Sequence, residues 1–283
     1  MIDAFVFFPK EKGMISIFLQ AGLGNQFFQL FAAISYAIDN QETLIIPRFK
    51  WDEAQRAPYW DSVFKRLKDA VDPKLQPHSM PRLCEEGFHY TPLPKMTGVI
   101  LFGYFQSYKY FDRNSESIIK RLSLRLEQQM IKTKYMTLAQ SISLHFRIGD
   151  YMNSQLHHPL MKDEYYVESI KKIMTLTKKT DWDIIYFCEA KDNLPVRQRL
   201  YKIKQFFPEL SFHKASDEML DWEQLLLMSC SDHNIIANST FSWWGAYLNP
   251  NPDKIVCYPS TWFGSANSDM DTKDLCPSRW VKI

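Results

Sequence analysis

The stretch SISLHFRIGDY, Ser141–Tyr151, decides the fold expected for the second half of the chain. Apolar residues alternate with polar ones along it, the period of two that is typical of a β-strand. The apolar positions are Ile142, Leu144 and Phe146. His145 and Arg147 therefore share the opposite face of a strand predicted over 141–147. Gly149 favours a sharp turn immediately after it.

A functional site is one interpretation of the end of this predicted strand. Asp150 would emerge at its carboxyl end, where ligands bind in open α/β sheets. The arrangement offers a guanidinium (Arg147) for an anion, an imidazole (His145) beside it and a carboxylate (Asp150) on the turn. The alternative, an edge strand with a solvated polar face, stays open from this segment alone.

Strands and helices are predicted to alternate along the whole chain, which favours an α/β fold with mostly parallel sheet. The order β-turn-α-β at the start is typical of a doubly wound unit. We expect a domain boundary near 133–140, giving domains over 1–135 and 136–283. The predicted strands lie at 14–19, 43–46, 98–105, 141–147, 183–187, 210–213, 234–237 and 255–258. The predicted helices include 112–132, 163–177, 195–206, 222–230 and 241–248, and residues 27–38 show helical spacing.

A second candidate site is the segment GLGNQFFQ, where a predicted strand passes into a helix. Gly22 and Gly24 would let the backbone approach a ligand, and the helix start offers free amide N–H groups. Asn25 and Gln26 add polar side chains. The segment lacks the third glycine of a dinucleotide fingerprint, which disfavours a nicotinamide-dependent oxidoreductase. A tight turn with only a structural role remains the alternative.

The third candidate is NIIANSTFSWWGAYLNP, Asn234–Pro250. Its turn holds Asn238, Ser239 and Thr240, and a helix is predicted from Phe241. The hydroxyls and amide groups there could cap the helix or hold a phosphate against its positive end. The adjacent tryptophans, Trp243 and Trp244, are not expected to face the core together, so one of them would line a cleft.

Composition sets limits on partners and compartment. The 283 residues carry a formal net charge of +2, too small to indicate a nucleic-acid partner. Five scattered cysteines lack zinc-site spacing and favour a reducing compartment. The apolar run AFVFF, residues 4–8, is too short for a signal peptide or a membrane span. We expect a cytoplasmic protein, with peripheral attachment to the inner face of a membrane as an option.

Four segments, taken together and in order, resemble the α-1,2-fucosyltransferase family, glycosyltransferase family 11. They are GLGNQFFQLFAAISYA, GYFQSYKYF, HFRIGDY and HNIIANSTFSWWGAYLN, and they spread from Gly22 to about Trp262. The resemblance implies a GT-B-like fold, with two Rossmann-like domains whose sheets face each other across a cleft. It also implies transfer of L-fucose, with inversion, from GDP-fucose to the 2-hydroxyl of a terminal galactose.

Carried over by position, the resemblance assigns roles to individual residues. Arg147 matches the arginine that engages the donor pyrophosphate, and His145 a histidine near the nucleotide. The loop along the donor phosphates corresponds to Ser239, Thr240 and Phe241. Glu223 corresponds to the carboxylate that contacts the guanine edge in related families. The family commonly has a second arginine where this chain has Ile148. By strand alternation Ile148 would point into the core.

Asp150 is the candidate general base that inversion requires, although it could instead cap the turn or orient Arg147. The resemblance implies no metal and no cofactor besides the donor substrate. Two Asp-X-Asp segments, Asp181–Asp183 and Asp269–Asp271, are interpreted as solvated turns rather than metal sites.

The expected partners are the nucleotide-sugar donor and a galactoside acceptor, either a free oligosaccharide or a membrane-borne glycolipid of a bacterial surface polysaccharide such as O-antigen. The region 50–95, rich in aromatic residues and prolines, is assigned to the acceptor side. A non-catalytic binder of nucleotide sugars or glycans, using exposed tryptophans, is the alternative function. The sequence does not indicate an oligomeric state.

Overall fold

A computed structural model describes residues 13–48, 59–136 and 140–283. The apolar run at 4–8, Trp51 and part of the predicted boundary at 133–140 lie outside the described residues. The chain forms two compact units. The first comprises Met1–Arg125 with Met270–Pro277, and the second Leu126–Asp269 with Ser278–Ile283. Compact units need not be independent domains, so the ranges 1–135 and 136–283 stay a prediction.

The first unit contains a four-stranded parallel sheet of order β2-β1-β6-β5 and a separate parallel pair, β3-β4. Its strands are β1 (Met14–Ile17), β2 (Thr43–Leu44), β3 (Ile46–Pro47), β4 (Val71–Asp72), β5 (Arg82–Cys84) and β6 (Val99–Phe102). Helix α1 (Leu23–Asn40) connects β1 to β2, and α2 (Ser115–Arg121) follows the sheet. The core of this unit is aromatic, because Phe27 and Phe31 of α1 pack against Phe64 and Phe111.

Helix α3 (Leu124–Tyr135) begins after a break that the sequence did not reveal. A single helix over 112–132 was predicted, but α2 ends before Ser123, which has a left-handed φ of 57°. The break lets Ile118, Leu122 and Leu124 all become buried, although 3.6-residue spacing would not place them on one narrow face.

The second unit is built on a six-stranded sheet of order β12-β11-β10-β7-β8-β9, with every pairing parallel. The strands are β7 (Ser141–His145), β8 (Asp183–Phe187), β9 (Ser211–Lys214), β10 (His233–Ile235), β11 (Val256–Tyr258) and β12 (Val281–Lys282). The helices are α4 (Asp163–Thr177), α5 (Asn193–Lys204), α6 (Asp221–Met228) and α7 (Thr240–Tyr247). The predicted parallel α/β architecture is confirmed, and α4 and β8 have their predicted bounds.

Strand β7 is central in this sheet, so the edge-strand interpretation of 141–147 is wrong. Its five residues are buried on both faces. One polar group of the other face is paired inside the protein: the Ser143 hydroxyl accepts a hydrogen bond of 2.7 Å from Asn234 Nδ2 on the adjacent β10. Ile148 is 3% exposed and belongs to the apolar core, as strand alternation predicts.

The expectation that one of the two adjacent tryptophans lines a cleft is also wrong. Trp243 and Trp244 are both 0% exposed. Tyr247 stacks on Trp243 at 4.8 Å between ring centroids, and Trp280 packs against the same ring at 5.3 Å. Helix α7 is apolar nearly all round, and such a helix is buried on every side.

Within the described ranges, no helix has both the length and the hydropathy needed to cross a bilayer.

Candidate functional site

Three segments of the second unit leave its sheet at the same edge. They follow the carboxyl ends of β7, β8 and β10, which are neighbours in the sheet. Register pairs His145 with Phe187, and Leu144 with Ile235, so the three turns start at nearly the same level. This edge is where parallel α/β sheets bind ligands.

Arg147 is the centre of this cluster and is held by three groups. Its guanidinium pairs with Asp150 at 2.5 Å and with Glu189. It also lies over the ring of Tyr151, with Cζ 5.0 Å from the ring centroid. Its side chain is 22% exposed, so the charge is partly desolvated but still reachable. A guanidinium fixed in this way is suited to bind a phosphate or carboxylate oxygen pair.

Glu189 was not identified from the sequence, although it lies two residues after the end of β8. Burial would raise the pKa of its carboxyl, but hydrogen bonds and charges of Lys191 and Arg147 outweigh that effect and hold the pKa below its usual value. The Glu189–Lys191 ion pair measures 2.8 Å. The rule that strand ends carry function could have drawn attention to Glu189.

The turn at Gly149 brings Asp150 back toward Arg147. Gly149 has a φ of 31°, and its N–H donates to Asp192 Oδ2 at 2.8 Å. A Cβ at this position would lie 3.1 Å from Glu189 Oε1. The backbone conformation and the close carboxylate both favour glycine at this position.

His145 is 7% exposed and its Nδ1 has no hydrogen-bond partner among the described residues. Burial, with a smaller contribution from the Arg147 charge, lowers the pKa of its imidazole to about 3. His145 is therefore neutral at physiological pH and brings no positive charge to the site. Its ring centroid lies 5.7 Å from that of Phe241, at the first turn of α7.

The segment 238–241 leads from β10 into α7. Ser239 occupies the position before the helix with extended angles, φ −139° and ψ 129°, and its side chain makes no capping hydrogen bond. The first amide N–H groups of a helix have no partner within the helix, so this end of α7 favours an anion. Thr240 and Phe241 are partly exposed there. The structure thus brings His145, Arg147 and Asp150 to the same sheet edge as Asn238–Phe241.

Glu223 has local partners for both carboxylate oxygens. Oε2 accepts from the backbone N–H of Leu220 at 2.9 Å, which caps α6. Oε1 accepts from the Tyr135 hydroxyl at 3.2 Å and lies 3.4 Å from Lys134 Nζ. Any role for Glu223 in reading a guanine edge would have to replace some of these contacts.

Gly22, Gly24, Asn25 and Gln26 lie in the first unit, at the junction of β1 and α1. Gly22 precedes the helix with φ −78° and ψ 174°, and a Cβ there would meet no atom within 4 Å. Asn25 Oδ1 accepts from Gln106 Nε2 at 2.9 Å, and Gln26 Nε2 donates to the Ala21 carbonyl at 3.1 Å. The side-chain amides of Asn25 and Gln26 therefore make contacts within the first unit. The space beside Gly22 is open, because no atom lies within 4 Å of a Cβ built there.

In the part of the chain that the structure describes, no group of three or more His, Cys, Asp or Glu side chains is arranged to hold a metal ion. The two Asp-X-Asp segments have other contacts. Asp183 pairs with His213 at 3.0 Å, and Asp271 pairs with Lys273 at 2.7 Å.

The fold and this arginine-centred sheet edge define a parallel α/β protein with a candidate anion-binding site. The chain belongs to glycosyl transferase family 11, whose model matches residues 8–283. It is therefore a glycosyltransferase of that family, and the resemblance stated from the motifs is confirmed.

Two curated relatives are from Escherichia coli. An alpha-1,2-colitosyltransferase is 27% identical over 213 residues, covering 71% of this chain and 70% of the relative. The O-antigen biosynthesis glycosyltransferase WbnK is 30% identical over 196 residues, covering 66% of this chain. The aligned part spans 61% of the length of WbnK.

A solved structure, the ADP-heptose lps heptosyltransferase II of E. coli, matches with a TM-score of 0.50. The match covers 95% of this chain and 90% of that chain at 10% sequence identity, and it concerns the fold alone. The predicted GT-B-like fold class is confirmed.

Proposed function

We propose that this protein is a galactoside α-1,2-fucosyltransferase, which moves L-fucose from GDP-fucose to the 2-hydroxyl of a terminal galactose with inversion. Membership of family 11 and the ordered motifs support it. The observation that carries the proposal is the position of Arg147, oriented by two carboxylates and a tyrosine at the sheet edge beside the start of α7.

The chemistry needs positive charge where a diphosphate departs. The bond between the sugar C1 and the β-phosphate oxygen breaks as the acceptor hydroxyl oxygen attacks from the opposite face, and the negative charge moves onto GDP. Arg147 and the N-terminal amides of α7 would stabilise that charge in the transition state. Ser239, Thr240 and Phe241 would line the phosphates. His145 would contact the nucleotide as a neutral hydrogen-bonding group.

The acceptor hydroxyl must lose a proton during the attack, so a general base is required. Asp150 remains the candidate proposed from the sequence. Its ion pair with Arg147 supports the other role considered for it, orienting the guanidinium. Glu223 is retained as the candidate for the guanine edge. The segment Gly22–Gln26 of the first unit would serve the donor through the open space before Gly22.

The reaction would proceed without a metal ion and with no cofactor besides the donor. The acceptor would be a galactoside of a bacterial surface polysaccharide or oligosaccharide, and the name of WbnK supports a place in O-antigen synthesis. The 50–95 region would contact the acceptor. Action in the cytoplasm, at a membrane-borne glycolipid, belongs to the same proposal.

The test is transfer of fucose by the purified protein from GDP-fucose to lactose-type acceptors in the presence of EDTA. Transfer is monitored through the release of GDP. GDP-colitose serves as a competing donor, because the name of one relative assigns colitose to it. We expect turnover with GDP-fucose and a drop of about 100- to 1000-fold in Arg147→Ala, with the fold retained. Faster transfer from GDP-colitose than from GDP-fucose would contradict the proposed donor. Absence of transfer to every β-galactoside tested would contradict the proposed acceptor.

The alternative function, a non-catalytic binder of nucleotide sugars or glycans, loses two of its candidate contact residues. It relied on exposed tryptophans as stacking platforms for glycans; Trp243 and Trp244 are fully buried, whereas Trp60 and Trp222 are partly exposed. It would require GDP binding without transfer in the same assay.

A further inference from the structure

Tyr151 touches both halves of the anion site described above, and it was not among the site residues predicted from the sequence. It lies in the short turn Gly149–Asn153 that follows Ile148. The Arg147 guanidinium lies over its ring, with 5.0 Å between Cζ and the ring centroid. Its hydroxyl donates a hydrogen bond of 3.1 Å to the main-chain oxygen of Asn238.

The Asn238 carbonyl is an informative partner because it belongs to the peptide unit that ends at Ser239, the residue before α7. Asn238 is 1% exposed, and its side-chain Nδ2 donates to the carbonyls of Pro159 and Trp262, both at 3.0 Å. The Ser239 N–H bonds back to the Ala237 oxygen at 2.8 Å. The side chain of Asn238 thus anchors the turn from one side, and the Tyr151 hydroxyl fixes its carbonyl.

The Tyr151 ring has little freedom to turn. It stacks on His158 at 4.7 Å with an interplanar angle of 17°, and His158 packs against Phe263 at 5.8 Å. The loop carrying these rings is tied down as well, because the Gly264 N–H donates to the His157 carbonyl at 2.8 Å. A ring held in this way restricts where the guanidinium above it can lie.

We propose that Tyr151 is a positioning residue that keeps the Arg147 guanidinium and the start of α7 in one fixed relationship, so that both act on the same donor diphosphate. The inference rests on the proposed function. It assigns two separable contributions: the ring holds Arg147 through a cation–π contact, and the hydroxyl holds the 238–239 peptide.

Two substitutions separate these contributions in the full chain. Tyr151→Phe keeps the ring and removes the hydroxyl, and we expect GDP affinity to fall about fivefold, the effect of one net hydrogen bond. Tyr151→Leu removes both contacts, and we expect a fall of about 50-fold, which includes the cation–π contribution. Tyr186→Phe is the matched control, because Tyr186 lies in the same unit and its hydroxyl has no hydrogen bond among the described residues.

GDP affinity is measured by calorimetry, the thermal midpoint by fluorimetry, and kcat and KM for GDP-fucose by steady-state kinetics. A merely structural tyrosine would lower the midpoint and leave the affinity of the folded fraction unchanged. Positioning predicts graded losses of GDP affinity, a lower kcat, and recovery by phenylalanine of most of what leucine loses. In the double variant Arg147→Lys with Tyr151→Leu, the two losses should be less than additive.

Wild-type GDP affinity in Tyr151→Leu would overturn the inference. If that variant does not fold, Tyr151→Phe provides the test. A GDP affinity equal to that of wild type would then contradict the contribution of the hydroxyl, and with it the proposed link between Arg147 and the start of α7. The proposed function fails separately, if the wild-type protein does not bind GDP or if Arg147→Ala binds it unchanged.

Discussion

The guanidinium of Arg147 and the carboxylate of Glu189 form an ion pair between the ends of two adjacent parallel strands, β7 and β8. With Asp150 on its other side, a single cation has two anionic partners. Under the proposed function, an incoming diphosphate would compete with both carboxylates for the guanidinium N–H groups. Asp150 is the easier one to move, because its side chain is 68% exposed and that of Glu189 only 36%.

Replacing each carboxylate separates the two roles open to Asp150. If it orients Arg147, Asp150→Asn should lower turnover by no more than about fivefold, since exposed ion pairs contribute roughly 0.2–1 kcal/mol. If it is the general base, kcat should fall about 100- to 10,000-fold while GDP affinity stays unchanged. Steady-state kinetics with GDP calorimetry distinguish the two results. Glu189→Gln removes the other carboxylate paired with Arg147, and its effect gives the size expected for loss of an orienting contact.

Gly149→Ala should destabilise the protein and weaken the site together. The backbone φ of 31° disfavours any side chain, and a Cβ would press on Glu189. We expect a loss of about 1–2 kcal/mol in the free energy of unfolding, with lower GDP affinity. Urea unfolding measures the first effect and calorimetry the second. An unchanged unfolding midpoint would contradict the strained turn.

Gly22→Ala should behave in the opposite way. Its backbone angles are open to all residues and no protein atom lies within 4 Å of the added carbon, so we expect unfolding to change by less than about 0.5 kcal/mol. If the turn approaches the donor as proposed, the methyl group raises KM for GDP-fucose. If KM and kcat both stay at wild-type values, the turn has only a structural role.

His145 should make stability depend on pH in one window. Its folded pKa, about 3, lies below the usual value of about 6.5, so between these values the unfolded state binds more protons. The contribution of His145 to the free energy of unfolding is fully present above about pH 6.5 and is lost as the pH falls toward 3. We expect a difference of about 2 kcal/mol between pH 7 and pH 5, absent from His145→Gln. Urea unfolding of both proteins at the two pH values measures it, and parallel pH curves would contradict the buried neutral state.

Much of the second unit could be predicted from local pattern, because its strands are short apolar runs that end in polar turns. The rule that ligands bind at the carboxyl ends of parallel strands then placed His145, Arg147 and Asp150 on one edge.

The partners of these residues were harder to predict. Glu189 and Tyr151 meet Arg147 only through strand order and loop folding, which no short sequence window contains. Trp243 is covered in part by Trp280, which lies more than 30 residues farther along the chain. The break at Ser123 requires a left-handed residue that is not glycine, and sequence rules give such a residue little weight.

The last fourteen residues contribute to both compact units, so they matter when the protein is divided into fragments. Asp274 is 7% exposed within the first unit, where it pairs with Lys109 and accepts from the Tyr90 N–H at 3.3 Å, and its carbonyl accepts from Ser107 Oγ at 2.7 Å. A few residues later, β12 completes the edge of the other sheet. Severing the polypeptide at its midpoint would deprive the amino-terminal fragment of Asp274, so recombinant halves or domain chimaeras need this tail grafted back to regain a complete core.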